Sequence, residues 1–237
     1  MPELRIGTSG WVYRHWRADF YPEGLKAKDE LAYYAQHFDT AEINASFYRL
    51  PSEAAVKGWH DRTPEGFLFS WKGSRYVTHQ KRLLEPEDSI ALVFGRMDGL
   101  ADRMGPAFFQ LPPMMKADRE RLAHFLKALP RGRRCAMEFR HPSWYAPEIF
   151  ALLADHDAAL VISDHHDAPS PWEARASWVY VRGHGPGGTY RGAYEGRTLA
   201  DWAAHIRGWG KDAYVYFDND IGCHAPRDAD RLKALLS

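Results

Sequence analysis

The chain has 237 residues, and its 31 basic and 31 acidic side chains cancel to a formal charge of zero. With 45% hydrophobic and 14% aromatic residues it can bury a substantial core, which excludes intrinsic disorder, while neutrality argues against a nucleic-acid binder that works mainly by charge. No apolar run approaches the roughly 18 residues of a membrane span, and Cys135 and Cys223 are too few for a disulfide framework or a Cys-rich zinc site.

In chain order, Leu4–Ser9 reads as the first strand, entered without a charged-then-apolar leader, so a cytoplasmic location is expected. Leu31, Tyr34, Ala35 and Phe38 then follow the i, i+3, i+4, i+7 spacing of a helix face. Strands at Thr40–Asn44 and Phe67–Lys72 precede a helix marked by Ile90, Val93, Phe94 and Met97. After a strand at Ala107–Leu111, Leu122, Phe125, Leu126 and Leu129 mark a helix that Pro130 stops. Strands at Cys135–Arg140, Leu160–Asp164 and Trp178–Gly183 come next. Leu199, Trp202, Ala203 and Ile206 form a helix face behind a Thr198 N-cap, with Asp201 three residues on. The last strand is Ala213–Asp218, and Pro226 opens the last helix before Ala229, Leu232 and Leu236. His165–Ser177 is too polar and too short for a full helix. Eight strands alternating with seven helices predict a single (β/α)8 TIM barrel with a degenerate sixth helix, one domain over residues 1–237. The rival doubly wound sheet lacks a G-x-G-x-x-G after its first strand.

Side chains alternate faces along a strand, and a barrel tolerates inward polar groups only near an end. In most strands the polar residues share one face and lie toward the C-terminal end. They form an expected ring at that mouth: Glu42, Asn44, Lys72, Gln110, Glu138, Arg140, Asp164, Arg182 and His184, with Asp218-Asn219-Asp220 closing strand eight. Barrel enzymes build their sites there. The same charges also suit a neutralised ion-pair network that plugs the barrel.

Around this ring, the first loop gathers Trp11, Tyr13, Trp16, Phe20 and Tyr21, which suits either a flat ligand or ordinary packing. The third loop, Lys72-Gly73-Ser74-Arg75 through His79, Lys81 and Arg82, is basic. Gly183 to Gly188 follows strand seven, where many barrels hold phosphate with backbone N–H groups. Asp164-His165-His166-Asp167 looks like a metal cluster, but consecutive residues on an extended chain are expected to point apart. Neither cysteine has a partner expected of a thiol nucleophile.

Taken together, Ile6-Gly7-Thr8-Ser9-Gly10-Trp11, Glu42-Ile43-Asn44 with Phe47-Tyr48-Arg49-Leu50-Pro51-Ser52, Phe69-Ser70-Trp71-Lys72, Phe109-Gln110-Leu111-Pro112-Pro113, Glu138-Phe139-Arg140-His141-Pro142-Ser143-Trp144, Val181-Arg182 with His184-Gly185, and Tyr216-Phe217-Asp218-Asn219-Asp220 resemble the YecE-like family. This is a group of unknown function, DUF72, and the resemblance implies a TIM barrel with these motifs at the strand ends. It supplies no reaction. The family pattern has Asn where this chain has Asp218, which implies an extra carboxylate if that position faces the pocket. Gly183 stands where a bulkier apolar residue is expected, which would widen the mouth.

Three readings stay open. The leading one is an acid–base enzyme, isomerase- or hydrolase-like, acting on a small polar, sugar-like or phosphorylated substrate. In it Glu42 and Glu138 are acid and base, and Lys72, Arg182 and His184 bind an anion or stabilise charge. Asp164, Asn44, Gln110 and Asn219 orient hydroxyls, while Tyr48, Arg140, Trp144, Asp220 and Trp11 join the binding set. Cleavage of a glycosidic bond is a subsidiary form. The second is a metal-dependent isomerase or phosphoesterase using Glu42, Glu138, Asp164, His184 and Asp220; a divalent metal is less favoured, because Lys72, Arg140 and Arg182 compete for the carboxylates. The third is non-catalytic binding of a nucleic acid or an anionic metabolite.

Overall fold

The computed structural model describes residues 2–237. Eight parallel strands close into a barrel in sequential order, β1 to β8. They are β1 (Leu4–Ser9), β2 (Thr40–Ile43), β3 (Leu68–Lys72), β4 (Met104–Gln110), β5 (Cys135–Glu138), β6 (Ala159–Ser163), β7 (Trp178–Gly183) and β8 (Asp212–Phe217). The helices are α1 (Glu30–Tyr34), α2 (Ala45–Tyr48), α3 (Glu53–Asp61), α4 (Pro86–Met97), α5 (Arg119–Ala128), α6 (Pro147–Asp155), α7 (Gly196–Trp209) and α8 (His224–Leu236). No helix joins β6 to β7, as the polar composition of that segment predicts. Among the described residues no helix is long and apolar enough to cross a membrane.

Local chemistry sets the helix ends. The Ser52 hydroxyl accepts from the Ala55 N–H to cap α3, and Asp118 accepts from the Arg121 N–H to cap α5. α7 departs from expectation: it begins at Gly196 with Glu195 in the cap position, so Thr198 lies inside the first turn. Its predicted face nevertheless buries Leu199, Trp202, Ala203 and Ile206.

Two apolar layers follow from strand alternation. Residues such as Phe69, Trp71, Phe109, Met137, Val179, Val181 and Val215 point outward under the helices. Phe108, Ala136, Ala159, Val161, Trp178, Tyr180, Tyr214 and Tyr216 fill the interior. The Tyr216 hydroxyl is satisfied by Thr40 and Ser70, each at 2.7 Å. Above this packed plug, the parallel register brings Ser9 beside Glu42, Gln110 beside Glu138 and Ser163 beside Arg182. The polar layer is thereby assembled at the C-terminal mouth.

Gly183 does not widen that mouth. A Cβ there would lie 2.9 Å from both Trp202 Cη2 and the Tyr194 hydroxyl, and 3.1 Å from Phe217. The missing side chain admits Tyr194 to the outside of the barrel. Gly183→Val is therefore expected to cost about 1–3 kcal/mol by overpacking. This would appear as a lower urea midpoint at unchanged denaturant slope; a midpoint equal to the native one would contradict the packing assignment.

Candidate functional site

The mouth is organised by Arg182, whose guanidinium is buried above the Phe108 ring, 4.8 Å from its centroid. Its Nε donates to Glu42 at 3.0 and 3.2 Å, and Nη2 to Glu42 at 2.9 Å, to Asp218 at 2.9 Å and to Ser9 at 3.1 Å. Nη1 donates to Glu138 at 3.1 Å and to His184 Nε2 at 3.0 Å. Every nitrogen of this side chain is engaged. The burial of one cation is offset by carboxylates from β2 and β5 and from the residue after β8, and this arrangement raises the guanidinium pKa despite desolvation.

Glu42 also accepts from Tyr180 at 2.7 Å and from Ser9, while Asn44 Nδ2 donates to Ser9 at 2.6 Å. Both Glu42 and Glu138 are fully buried. Burial pushes Glu138 up, but Arg140, Arg182 and Lys72 together outweigh it and hold its carboxyl below the usual value. Both carboxylates of the expected acid–base pair are thus hydrogen-bonded to Arg182.

The groups poised near neutrality are others. Lys72 has no carboxylate against it: its Nζ donates to Gln110 Oε1 at 2.6 Å and lies 4.4 Å from the Phe47 ring centroid. Desolvation, reinforced by the Arg182 charge, pushes it down to about 8. Asp218 continues the inward phase of Tyr214 and Tyr216. Burial pushes it up to about 7, against the pull of Arg182 and with the help of Glu42. His184 is held well below its usual value by burial, Arg182 and Arg140, although Asp164 pulls the other way. Its Nε2 accepts from Arg182, which leaves the proton on Nδ1, 3.3 Å from Ser163 and 3.4 Å from Asp164. A neutral imidazole of this kind offers an anion one N–H and no charge.

Other expected site residues lie outside the ring. Asp164 follows the outward phase of Leu160 and Ile162; it accepts from the His184 N–H at 2.7 Å and from the Tyr194 hydroxyl, while Ser163 takes the inward place. Asn219 points away and joins Gly192 and Asp228 on the outer side. Trp144 is buried, stacked on Phe139 and bonded to the Met115 carbonyl. Tyr48 is 71% exposed on α2. Asp220 meets His15 at 3.2 Å, on the first loop. Of that loop, Trp16 and Tyr21 are packing residues with no exposed face, while Trp11 and Tyr13 border a cleft of about 290 Å³ with Glu42, Asn44 and Trp59. In the glycine loop the Gly185 N–H goes to Tyr194 and the Gly188 N–H to Gly185, so neither is available to cradle phosphate. In the third loop, residues Tyr76–Gln80 form a helical turn and Lys81 pairs with Glu85.

The expected metal set does not converge. Arg182 occupies Glu42 and Glu138, two guanidinium groups face the His184 Nε2 lone pair, and Asp164 and Asp220 belong to different neighbourhoods. A turn after β6 instead brings ligand atoms of His165, His166 and Asp167 within 4.8 Å of one another, contrary to the expectation that they point apart. His165 is buried and is pushed down to about 4 by burial and the Arg140 charge, so its imidazole is neutral. Burial pushes the thiols of Cys135 and Cys223 up to about 12 and about 11, in keeping with inert cysteines. Ser9, Ser163 and His165 are the site residues that sequence reasoning left out of the ring. Strand parity marks Ser9 and Ser163 as inward, but His165 carries no such signal.

Fold and mouth together define a (β/α)8 barrel with a buried, charge-balanced polar layer at the C-terminal ends of its strands. The family described as "Protein of unknown function DUF72" matches residues 5–237, and the chain belongs to it. It is 32% identical to the UPF0759 protein YecE of Escherichia coli over 144 residues, which is 60% of this chain and 50% of that protein. To the UPF0759 protein YunF of Bacillus subtilis it is 27% identical over 98% of this chain and 94% of that one. The crystal structure of a DUF72 family protein from Thermotoga maritima superposes with a TM-score of 0.89 at 25% identity, covering 99% of both chains.

Removing the central cation tests the layer as a unit. Arg182→Met leaves Glu42, Glu138 and Asp218 facing one another and is expected to cost about 3–5 kcal/mol in urea unfolding. A loss under about 1 kcal/mol would mean that the carboxylates do not depend on it.

Proposed function

We propose that this protein is an acid–base enzyme acting on a small polar, anionic substrate, sugar-like or phosphorylated, at the barrel mouth. Lys72 and Asp218 are its proton-transfer pair. The observation that carries the reading is the placement, around one buried guanidinium, of an amine pushed down to about 8 and a carboxyl pushed up to about 7. General acid–base catalysis is most efficient when such values lie near the working pH. Glu42 and Glu138 position Arg182. Asn44 Oδ1, buried without a partner, supports a role in accepting from a substrate hydroxyl. Because Lys72 and Asp218 share Arg182 as a neighbour, their two inflections belong to the pair.

The function is tested by solvent-deuterium incorporation into a panel of sugar phosphates and hydroxy acids, followed by proton NMR. Turnover should rise and fall with pH around limbs near 7 and 8, and Lys72→Met and Asp218→Asn should each lower it by about 10²–10⁴-fold. Unchanged turnover in both variants would remove the pair from the mechanism.

Stability supplies a substrate-free check. A raised carboxyl value means that the folded state prefers Asp218 protonated. The native protein therefore loses stability as pH climbs from roughly 3.9, the unfolded value, through about 7. Asp218→Asn escapes that loss, so its Tm relative to the native protein should rise by a few degrees between pH 4 and pH 8. A difference that stays flat would contradict the assignment.

A metal-dependent reaction is the second reading, favoured by the His165, His166 and Asp167 cluster beside the mouth. Native mass spectrometry with added Zn²⁺ or Mn²⁺ should then show one ion that His166→Ala releases. Equal loading of the variant would count against this reading.

A further inference from the structure

The two arginines of the mouth are used in opposite ways. Arg182 spends its guanidinium on carboxylates, a hydroxyl and an imidazole. Arg140 lies just past the end of β5, and its side chain is only 3% exposed. It commits Nη2 alone, to Glu138 and, at 3.4 Å, to His184 Nε2. Its Nε and Nη1 are buried and have no hydrogen-bond partner. A guanidinium has five N–H donors in a rigid fork and cannot shed its proton, so these donors stay charged and unsatisfied. Unpartnered buried donors are rare, and for a charged group they are costly.

The surroundings of this fork indicate what it receives. Burial and the Arg140 charge push His165 down, and the same charge opposes the rise that burial gives Tyr190, which places the two rings in its field. The rings of His165, His184 and Tyr190 lie 5.1–5.8 Å from one another, centroid to centroid, and edge toward each other. Neither imidazole carries a charge to compete for an anion or to repel a cation. Tyr190 is the outermost of the three, at 36% exposure. The neighbouring carboxylates are already matched: Glu138 by both arginines, and Glu42 and Asp218 by Arg182.

We propose that Arg140 is the oxyanion anchor of the substrate. Its unpartnered Nη1–H donates to a carboxylate or phosphoryl oxygen in a subsite beside His165 and Tyr190. The assignment rests on the reading of the mouth as a substrate site and deepens it by naming the group that the substrate must carry. It also divides the labour of the cations. Arg140 fixes the anion, Arg182 fixes the carboxylates, and Lys72 is left to move a proton.

The test is titration of the full-length protein with inorganic phosphate and, separately, with acetate, followed by amide NMR shifts and by Tm at up to about 50 mM ligand. At least one anion should bind saturably, shifting the amides of residues 138–141 and 184–190 and raising the Tm. The better of the two probes identifies the group as phosphoryl or carboxylate. Arg140→Gln should weaken that binding about 10- to 100-fold. Arg140→Lys, which keeps the charge and its pairing with Glu138, guards against misfolding and should recover only part of the affinity. Binding of both anions at native strength by folded Arg140→Gln would overturn the proposal, as would no saturable binding of either by the native protein. Neither failure touches the acid–base reading, because the titrations of Lys72 and Asp218 are read without any anion. Conversely, normal anion binding by a protein whose Lys72 and Asp218 titrate at ordinary values would defeat that reading alone.

Discussion

The structure depends on one buried guanidinium. Arg182 sits on the packed aromatic plug of the barrel and holds carboxylates from three separated parts of the chain within hydrogen-bonding distance. Desolvating several charges at once is expensive, and packed apolar side chains of similar volume frequently serve stability as well or better. The geometry around Arg182 is saturated: each of its nitrogens has an acceptor, and Tyr180, Ser9 and Asn44 donate within the same cluster. What such a layer provides beyond a plug is a fixed electrostatic environment at the end of the barrel that solvent can reach.

That environment explains why the titrating groups are those at the rim. Glu138, in contact with two guanidinium groups, is held below its usual value. Lys72, desolvated and lacking a carboxylate partner, is shifted toward neutral pH from above, and Asp218, buried and crowded by Glu42, is shifted toward it from below despite Arg182. Opposite shifts in groups of opposite charge type are the usual way a fold makes an acid and a base available at one pH.

Much of the site was legible in one dimension because strand alternation is a strict rule. Thr40, Glu42 and Asn44, or Ala136, Glu138 and Arg140, can face the mouth only as a set, and the parallel register then brings Gln110 to Glu138 and Ser9 to Glu42. The expected ring departs from this rule at Asp164, whose outward parity takes it out of the layer, and past the strand end Asn219 and Asp220 go to different neighbours once β8 has stopped at Phe217. Trp144 illustrates a different gap. A tryptophan in a motif at a strand end suits binding and packing equally, and only its stack on Phe139 decides for packing.

The sequence by itself determined the barrel, the lack of a helix between β6 and β7, the end at which polar groups collect and the membership of those groups to within a few residues. All of these follow from period, parity and composition, which are local properties of the chain. Tertiary structure alone decided which charge meets which. Glu42 and Arg182 are separated by 140 residues yet share three hydrogen bonds, a contact that strand parity alone does not show. Proton affinities and unsatisfied donors are sums over neighbours brought together by the closed barrel, so Lys72, Asp218 and the open edge of Arg140 become visible only in three dimensions.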